Sequence, residues 1–208
     1  MAAGATGPTD DDLVAAARAG DVRAFGRLLT RHESSVLRVL RLLGVPASER
    51  EDLAQDTFLR AFRYLESYRP GRSFPGWLYR ITVNVAHDWR RERGQRRLDE
   101  AAWSGEADSA VDPAPQPDER SELGVLRRRL EHALGQLSER ERAVFVLCEI
   151  ETLSTLDVAR ALGITRITVR RHLGLARRRL KRVLAEPGTK EEEKAATVDR
   201  SSLRVGSS

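Results

Sequence analysis

Three features of the sequence predict an all-α fold, made of two small helical domains joined by an acidic flexible linker. Apolar residues recur at spacings of three and four in two blocks, 10–98 and 121–186. No convincing period-2 run bounded by turn residues appears. Between the blocks, residues 99–122 read DEAAWSGEADSAVDPAPQPDERSE: eight acids against one base, with three prolines within 113–117. Such a composition extends rather than packs. The linker is set at 99–120, and the termini 1–9 and 187–208 are expected to be disordered tails.

In the first block, helix one is DDLVAAARA, stopped at Gly20, and helix two is DVRAFGRLLTRHESSVLRVLRLL, stopped at Gly44. Helix three is expected to start at a capping box, with Ser48 at the N-cap and Glu51 three residues on, and to run through DLAQDTFLRAFRYLE. Helix four starts near Ser73 and runs through WLYRITVNVAHDWRRER to about Arg97. In the second block the first helix ends near Gly135, and a second capping box, Ser138 to Glu141, opens RAVFVLCEIE. Ser154 opens the short helix LDVARAL, Gly163 breaks it, and Thr165 caps the last helix.

Composition excludes several classes of function. The chain has 208 residues, enough for one ordinary domain or two small ones, and a net charge of +5. Its single cysteine, Cys148, excludes an internal disulfide and a Cys-rich metal site, and the four His lack ligand spacing. There is no phosphate-cradling Gly loop and no nucleophile–base constellation, so neither enzymatic activity nor a cofactor is expected. No run is long and apolar enough for membrane insertion, and the N-terminus lacks signal-peptide form, so a cytoplasmic location is expected.

Charge is segregated. The stretch 163–182, GITRITVRRHLGLARRRLKR, holds eight basic residues and no acid. Residues 154–173 have helix-turn-helix form: a short helix that packs by Val158, Ala159 and Leu162, a turn at Gly163, then a second helix. At about 100° per residue, Val169, Leu173, Ala176, Leu180 and Val183 make one apolar stripe of that second helix. Ile167, Arg171, Gly174 and Arg178 lie opposite, flanked by Arg170 and Lys181. A merely solvated face mixes its signs, because opposite charges at i, i+4 support a helix. A purely positive face calls for an external anion, and the turn makes DNA the expected one. Arg166, Ile167, Arg170, Arg171 and Gly174 then sit where such a helix meets base edges; Arg177, Arg178, Lys181 and Arg182 sit further along, where phosphates lie.

Helix four repeats this logic. Trp77, Leu78, Ile81, Val85 and Trp89 form an apolar stripe, and Arg80, Asn84, His87 and Arg91 recur on another face. Trp77 and Trp89 read as core, whereas Tyr79 points elsewhere and is a candidate for stacking on an unpaired base. Helix three carries Glu49, Glu51, Asp52 and Asp56, either as a simple N-terminal charge preference or as an acidic surface for a protein partner.

Together these segments resemble the extracytoplasmic-function class of bacterial RNA polymerase sigma factors, in the sigma-70 family, over about residues 10–98 and 121–185. AARAGDVRAFGRLLTRHESSVLRVLRLLG looks like region 2.1, EDLAQDTFLRAFRYL like region 2.2, SFPGWLYRITVNVAHDWRR like regions 2.3 and 2.4, and 137–180 like region 4. The resemblance implies that Asp52, Leu53, Gln55, Asp56 and Phe58 meet the clamp helices of core RNA polymerase. Trp77, Leu78, Arg80 and Asn84 match the family's −10 helix and loop 66–73 stands where the family holds a flipped base, so with the charged face described above Arg69, Arg72, Tyr79, Arg80, Asn84, His87 and Arg91 are expected to serve the −10 element. Thr168, Val169 and Arg170 match the family's −35 helix, so Arg166, Ile167, Thr168, Arg170, Arg171, Gly174, Arg177 and Arg178 of the basic helix are expected to serve the −35 element; the resemblance also implies that region 4 touches the polymerase flap. An anti-sigma factor is a further expected partner. Ile167, Arg171-His172 and Gly174-Leu175 depart from the family pattern on the base-reading side, so no −35 consensus is carried over. Two alternatives stand beside this reading: a response-regulator-like helix-turn-helix factor, which needs a receiver domain absent from the all-helical first block, and a sigma-like adaptor that does not bind DNA.

Overall fold

Side-chain caps and left-handed glycines set most of the helix limits. Thr9 and Asp12 form a reciprocal capping box that starts α1 (Asp10–Arg18). Asp21 accepts from the backbone of Arg23 and Ala24 to start α2 (Val22–Leu42). Then come α3 (Ala47–Arg63), a 3-10 turn (Leu65–Ser67) and α4 (Phe74–Ser104). The second block holds α5 (Glu122–Gly135), α6 (Glu139–Phe145), α7 (Thr155–Leu162) and α8 (Arg166–Ala185), with a π-helical turn, Val146–Ile150, prolonging α6. This computed structural model describes residues 7–104 and 122–185, and among them no strand occurs. The fold is all-α.

The expected stops at Gly20, Gly44 and Gly163 are found, at φ of 97°, 87° and 63°. Gly44 is favoured by its positive φ, and a Cβ there would also displace the Arg142 guanidinium, 2.4 Å away. The capping box of Ser138 and Glu141 forms, Ser154 caps α7, and Thr165 accepts from the Thr168 amide at the start of α8.

Three expectations are corrected. Ser48 is not a cap: the N-cap lies two residues earlier, at extended Pro46, whose carbonyl closes the first turn to Glu49 at 3.1 Å. Helix α4 does not end near Arg97 but continues to Ser104, into the segment assigned to the linker. Leu98–Ser104 holds no Gly or Pro, and prolonging an existing helix is cheap. The N-terminal tail is shorter than 1–9, since Thr9 caps α1 and the Pro8 carbonyl accepts from Arg31 at 2.9 Å. The π-helical turn after Phe145 had no counterpart in the sequence reading. The rest of the linker and the C-terminal tail lie outside the described residues.

One apolar cluster runs through both blocks. Val14, Leu28, Val36, Val39, Leu40, Leu78 and Val85 are buried in the first, and Leu134, Val144, Val146, Leu147, Val158 and Val169 in the second. The blocks meet where α7 packs on α4 and the π-helical turn packs on α2.

Candidate nucleic-acid and polymerase interface

On α8 the expected stripe is the one that packs: Val169, Leu173, Ala176 and Leu180 are buried. The opposite side faces solvent. Ile167 is 77% exposed. Arg166, Arg170, Arg171, Arg177 and Arg178 are exposed around it, while Thr168 and Gly174 are half-buried. The helix is not wholly without acids in space, as its sequence suggests. Arg177 pairs with Glu149 at 2.5 Å, and Arg179 with Glu141 at 2.7 Å. Arg166, Arg170, Arg171, Arg178, Lys181 and Arg182 make no ion pair among the described residues. Three residues, Gly163–Thr165, separate α7 from α8, a turn of helix-turn-helix length.

The second surface is built on α4 and the loop before it. The loop is held from behind by α1. Tyr68 is buried, and its hydroxyl lies 2.5 Å from Asp11 Oδ1 and 2.6 Å from the Arg72 carbonyl. Asp11 Oδ2 accepts from the Gly71 amide at 2.8 Å, and Arg18 donates to the carbonyls of Leu65 and Tyr68. Burial, then the adjoining Asp11 carboxylate, push the Tyr68 phenol well above its ordinary range, so it stays a neutral donor. Gly71 has φ of 77°, which a side chain tolerates poorly. Neither Asp11 nor Arg18 was singled out from the sequence. They lie some 50–60 residues from their loop partners, and no local pattern links them.

Held in this way, the loop and α4 line two adjoining clefts. One, of about 160 Å³, brings together Arg69, Arg72, Trp77 and Arg80 of the first block with Asp157, Arg160 and Ala161 of α7. The other is an open groove of about 500 Å³ lined by Arg80, Asn84 and His87 together with Tyr64 and Trp77. Trp77 packs against Tyr68 and Phe74, as its place on the apolar stripe implies. Arg91 is exposed further along α4 and lies 3.6 Å from Asp88. Tyr79 is corrected: it is only 3% exposed and donates to Glu151 at 2.7 Å, so in this arrangement it faces the second block rather than an open surface.

On α3, Asp52 and Gln55 are exposed, Leu53 is half-buried, and Asp56 pairs with Arg60 at 3.0 Å. Phe58 is corrected: it is 8% exposed and belongs to the core, where it supports α3 from within. The apolar side chains that do protrude are Leu59 and Phe62, about half exposed, with Phe62 edge-on to Phe25 at 5.0 Å. Their signal was available, because Asp52, Gln55, Asp56, Leu59 and Phe62 fall at spacings of three and four.

Among the described residues no cluster of His, Cys, Asp and Glu is suited to a metal ion, and no helix is long and apolar enough to cross a membrane. Burial pushes the Cys148 thiol up to about 11, leaving it protonated at neutral pH.

Comparison with known proteins matches both blocks. The family model for sigma-70 region 2 matches residues 28–96, and that for sigma-70 region 4 matches residues 127–180. The chain is 35% identical over 173 residues to the ECF RNA polymerase sigma factor SigE of Mycolicibacterium smegmatis, covering 83% of this chain and 66% of that one. It is 34% identical over 183 residues to the RNA polymerase sigma factor CnrH of Cupriavidus metallidurans, covering 85% of this chain and 96% of that one. Among solved structures, CnrH in complex with the cytosolic domain of CnrY superposes with a TM-score of 0.65 at 28% identity, over 86% of this chain and 99% of that one. The sigma factor RpoE of Bartonella quintana, in complex with the anti-sigma factor NepR, shares the fold, with a TM-score of 0.66 at 24% identity over 80% of this chain and 100% of that one. With both regions matched in order and CnrH covered almost end to end, the chain belongs to the ECF RNA polymerase sigma factors of the sigma-70 family.

Proposed function

We propose that the chain is an alternative initiation factor that binds core RNA polymerase and directs it to specific promoters. The observation that carries this reading is α8, whose solvent face holds an exposed Ile167 and six cations that make no ion pair among the described residues. Unpaired like charges repel one another in the free protein and are relieved by phosphates. In this reading residues 121–186 form the −35 domain. Arg166, Ile167, Thr168, Arg170, Arg171 and Gly174 of α8 meet base edges in the major groove, and Arg177 and Arg178 meet phosphates. Residues 10–98 form the −10 domain. Arg69 and Arg72 of the loop, with Arg80, Asn84, His87 and Arg91 of α4, follow the melted strand, and the cleft beside Trp77 receives an unpaired base. The clamp helices of the polymerase meet α3 through Asp52, Leu53, Gln55 and Asp56, with Leu59 and Phe62 as apolar anchors. The polymerase performs the chemistry, and the chain supplies binding energy and no catalytic group. An anti-sigma factor is the expected regulator, as CnrY is the partner in the CnrH complex and NepR in the RpoE complex. The place of action is the cytoplasm.

Run-off transcription with purified core polymerase on a genomic promoter library tests this. Wild type is expected to initiate from a defined promoter set and Arg170→Ala/Arg171→Ala to lose it. Wild type that binds core yet never initiates refutes the reading and leaves a sigma-like adaptor.

A further inference from the structure

A third groove shares no residue with the two clefts beside α4 or with the open face of α8. It gathers four arginines from three helices. Arg38 and Arg41 of α2, Arg50 of α3 and Arg127 of α5 line about 370 Å³ of open space, with Glu51 the only acid beside them among the described residues. Two of the four are anchored. Arg38 donates to Glu151 through Nε at 2.7 Å and Nη2 at 3.0 Å, and Arg50 Nε donates to the Val45 carbonyl at 2.8 Å. The other two share one oxygen: Glu131 Oε1 lies 3.4 Å from Arg41 Nε and 3.6 Å from Arg127 Nε. Neither approach closes a hydrogen bond. Arg41 Nε and Glu131 Oε1 are both shut off from solvent without a hydrogen-bond partner. Burial holds the Arg41 pKa below the ordinary arginine value, and repulsion from Arg127, Arg50 and Arg38 adds to this against the pull of Glu131. A guanidinium does not shed its proton in response, so the groove keeps its charge and is stabilised by an anion that enters it.

We infer that this groove is a binding site for a linear di- or triphosphate, such as pyrophosphate or the phosphate chain of a nucleoside triphosphate. Guanidinium forks match phosphate oxygens in pairs. The Glu131 carboxylate reaches Arg41 and Arg127 without bonding to either, whereas consecutive phosphate groups offer acceptors on several sides at once. Exposed Ser34 adds a hydroxyl donor. The remaining lining is Leu37 and Ala47, with no aromatic ring, so nothing there stacks on a base and the phosphate chain carries the recognition. No residue of this site serves DNA in the promoter reading, so the two fail separately.

Isothermal titration calorimetry of the full chain with pyrophosphate, in magnesium-free buffer, tests this. Saturable binding at a single site is expected, with orthophosphate about tenfold weaker. Arg41→Gln and Arg127→Gln are each expected to weaken pyrophosphate binding about tenfold, and Arg171→Ala, on the face of α8, to leave it unchanged. Arg127 is half exposed on α5, so its substitution spares the fold even if Arg41→Gln does not. ATP titrated beside pyrophosphate separates the two sources. Equal affinities assign the site to the phosphate chain of either, and ATP about tenfold weaker restricts it to the free anion; both outcomes uphold the site. Pyrophosphate that fails to saturate, binding that survives Arg127→Gln, or binding lost in Arg171→Ala overturns the proposal. Saturable binding of a polyglutamate peptide in place of pyrophosphate also overturns it, and leaves an acidic protein segment as the occupant.

Discussion

The outward faces of α8 and α4 carry similar side chains, but they differ in what holds them and what covers them. The face of α8 needs nothing beyond its own helix: a stripe of Val169, Leu173, Ala176 and Leu180 pins one side, and the opposite side is open by default. The α4 surface depends on distant residues. Asp11 and Arg18 of α1 shape the loop that borders it, and α7 of the other block closes one of its clefts. A surface made by periodicity is legible in a sequence and tolerant of change elsewhere. A surface made by long-range hydrogen bonds is neither.

This contrast can be broken or sharpened experimentally. The largest effect is expected from Arg170→Ala/Arg171→Ala, which should cost about 1–3 kcal/mol for each arginine that pairs with a base. Holoenzyme binding to a promoter by gel shift measures this, and the thermal stability of the free protein should not change. Gly71→Ala should act on the other surface alone. With φ of 77° it introduces about 1 kcal/mol or more of strain, lowering the yield of strand opening while −35-dependent binding persists; permanganate footprinting distinguishes the two. Tyr68→Phe removes a buried hydroxyl from Asp11 and should lower stability by about 1–2 kcal/mol, read as a shift in the midpoint of urea unfolding. The smallest contrast lies within α8. Arg178→Ala should reduce the salt slope of DNA binding by about one. Arg177→Ala should reduce it less, because Glu149 already neutralises Arg177.

The first block also carries a pH-sensitive contact. His32 is buried beside Asp10, 3.0 Å away; burial lowers its pKa, and the Asp10 carboxylate opposes that only in part. With the folded value below the ordinary 6.5, the unfolded chain takes up the proton first. Stability should therefore be full above about 6.5 and fall as pH drops from there toward the lower folded value. The loss between pH 7 and pH 5 in thermal melts should be smaller in His32→Gln than in wild type.

The helices, their order and the faces they bury could be read from the chain because each depends on neighbours within a turn or two. Gly20, Gly44 and Gly163 stop helices, Ser138 and Thr165 start them, and the stripe from Val169 to Leu180 packs as its spacing implies. Where local rules competed, the sequence misled. Ser48 has the form of a cap, but Pro46 takes the position first. The acids at 99 and 100 suggest a linker, but α4 runs through them.

The sequence by itself determined an all-α chain, two blocks and a basic helix-turn-helix, because propensity, capping and amphipathic period are properties of short segments. Tertiary structure alone decided that Tyr79 and Phe58 are buried, that Asp11 shapes the loop, and that Glu151 ties the blocks. Residues 38, 79 and 151 are far apart along the chain, and only the packing of the π-helical turn on α2 and of α7 on α4 brings their side chains within bonding distance. A buried carboxylate must find its donors wherever the fold has put them, and that placement is a property of the whole molecule.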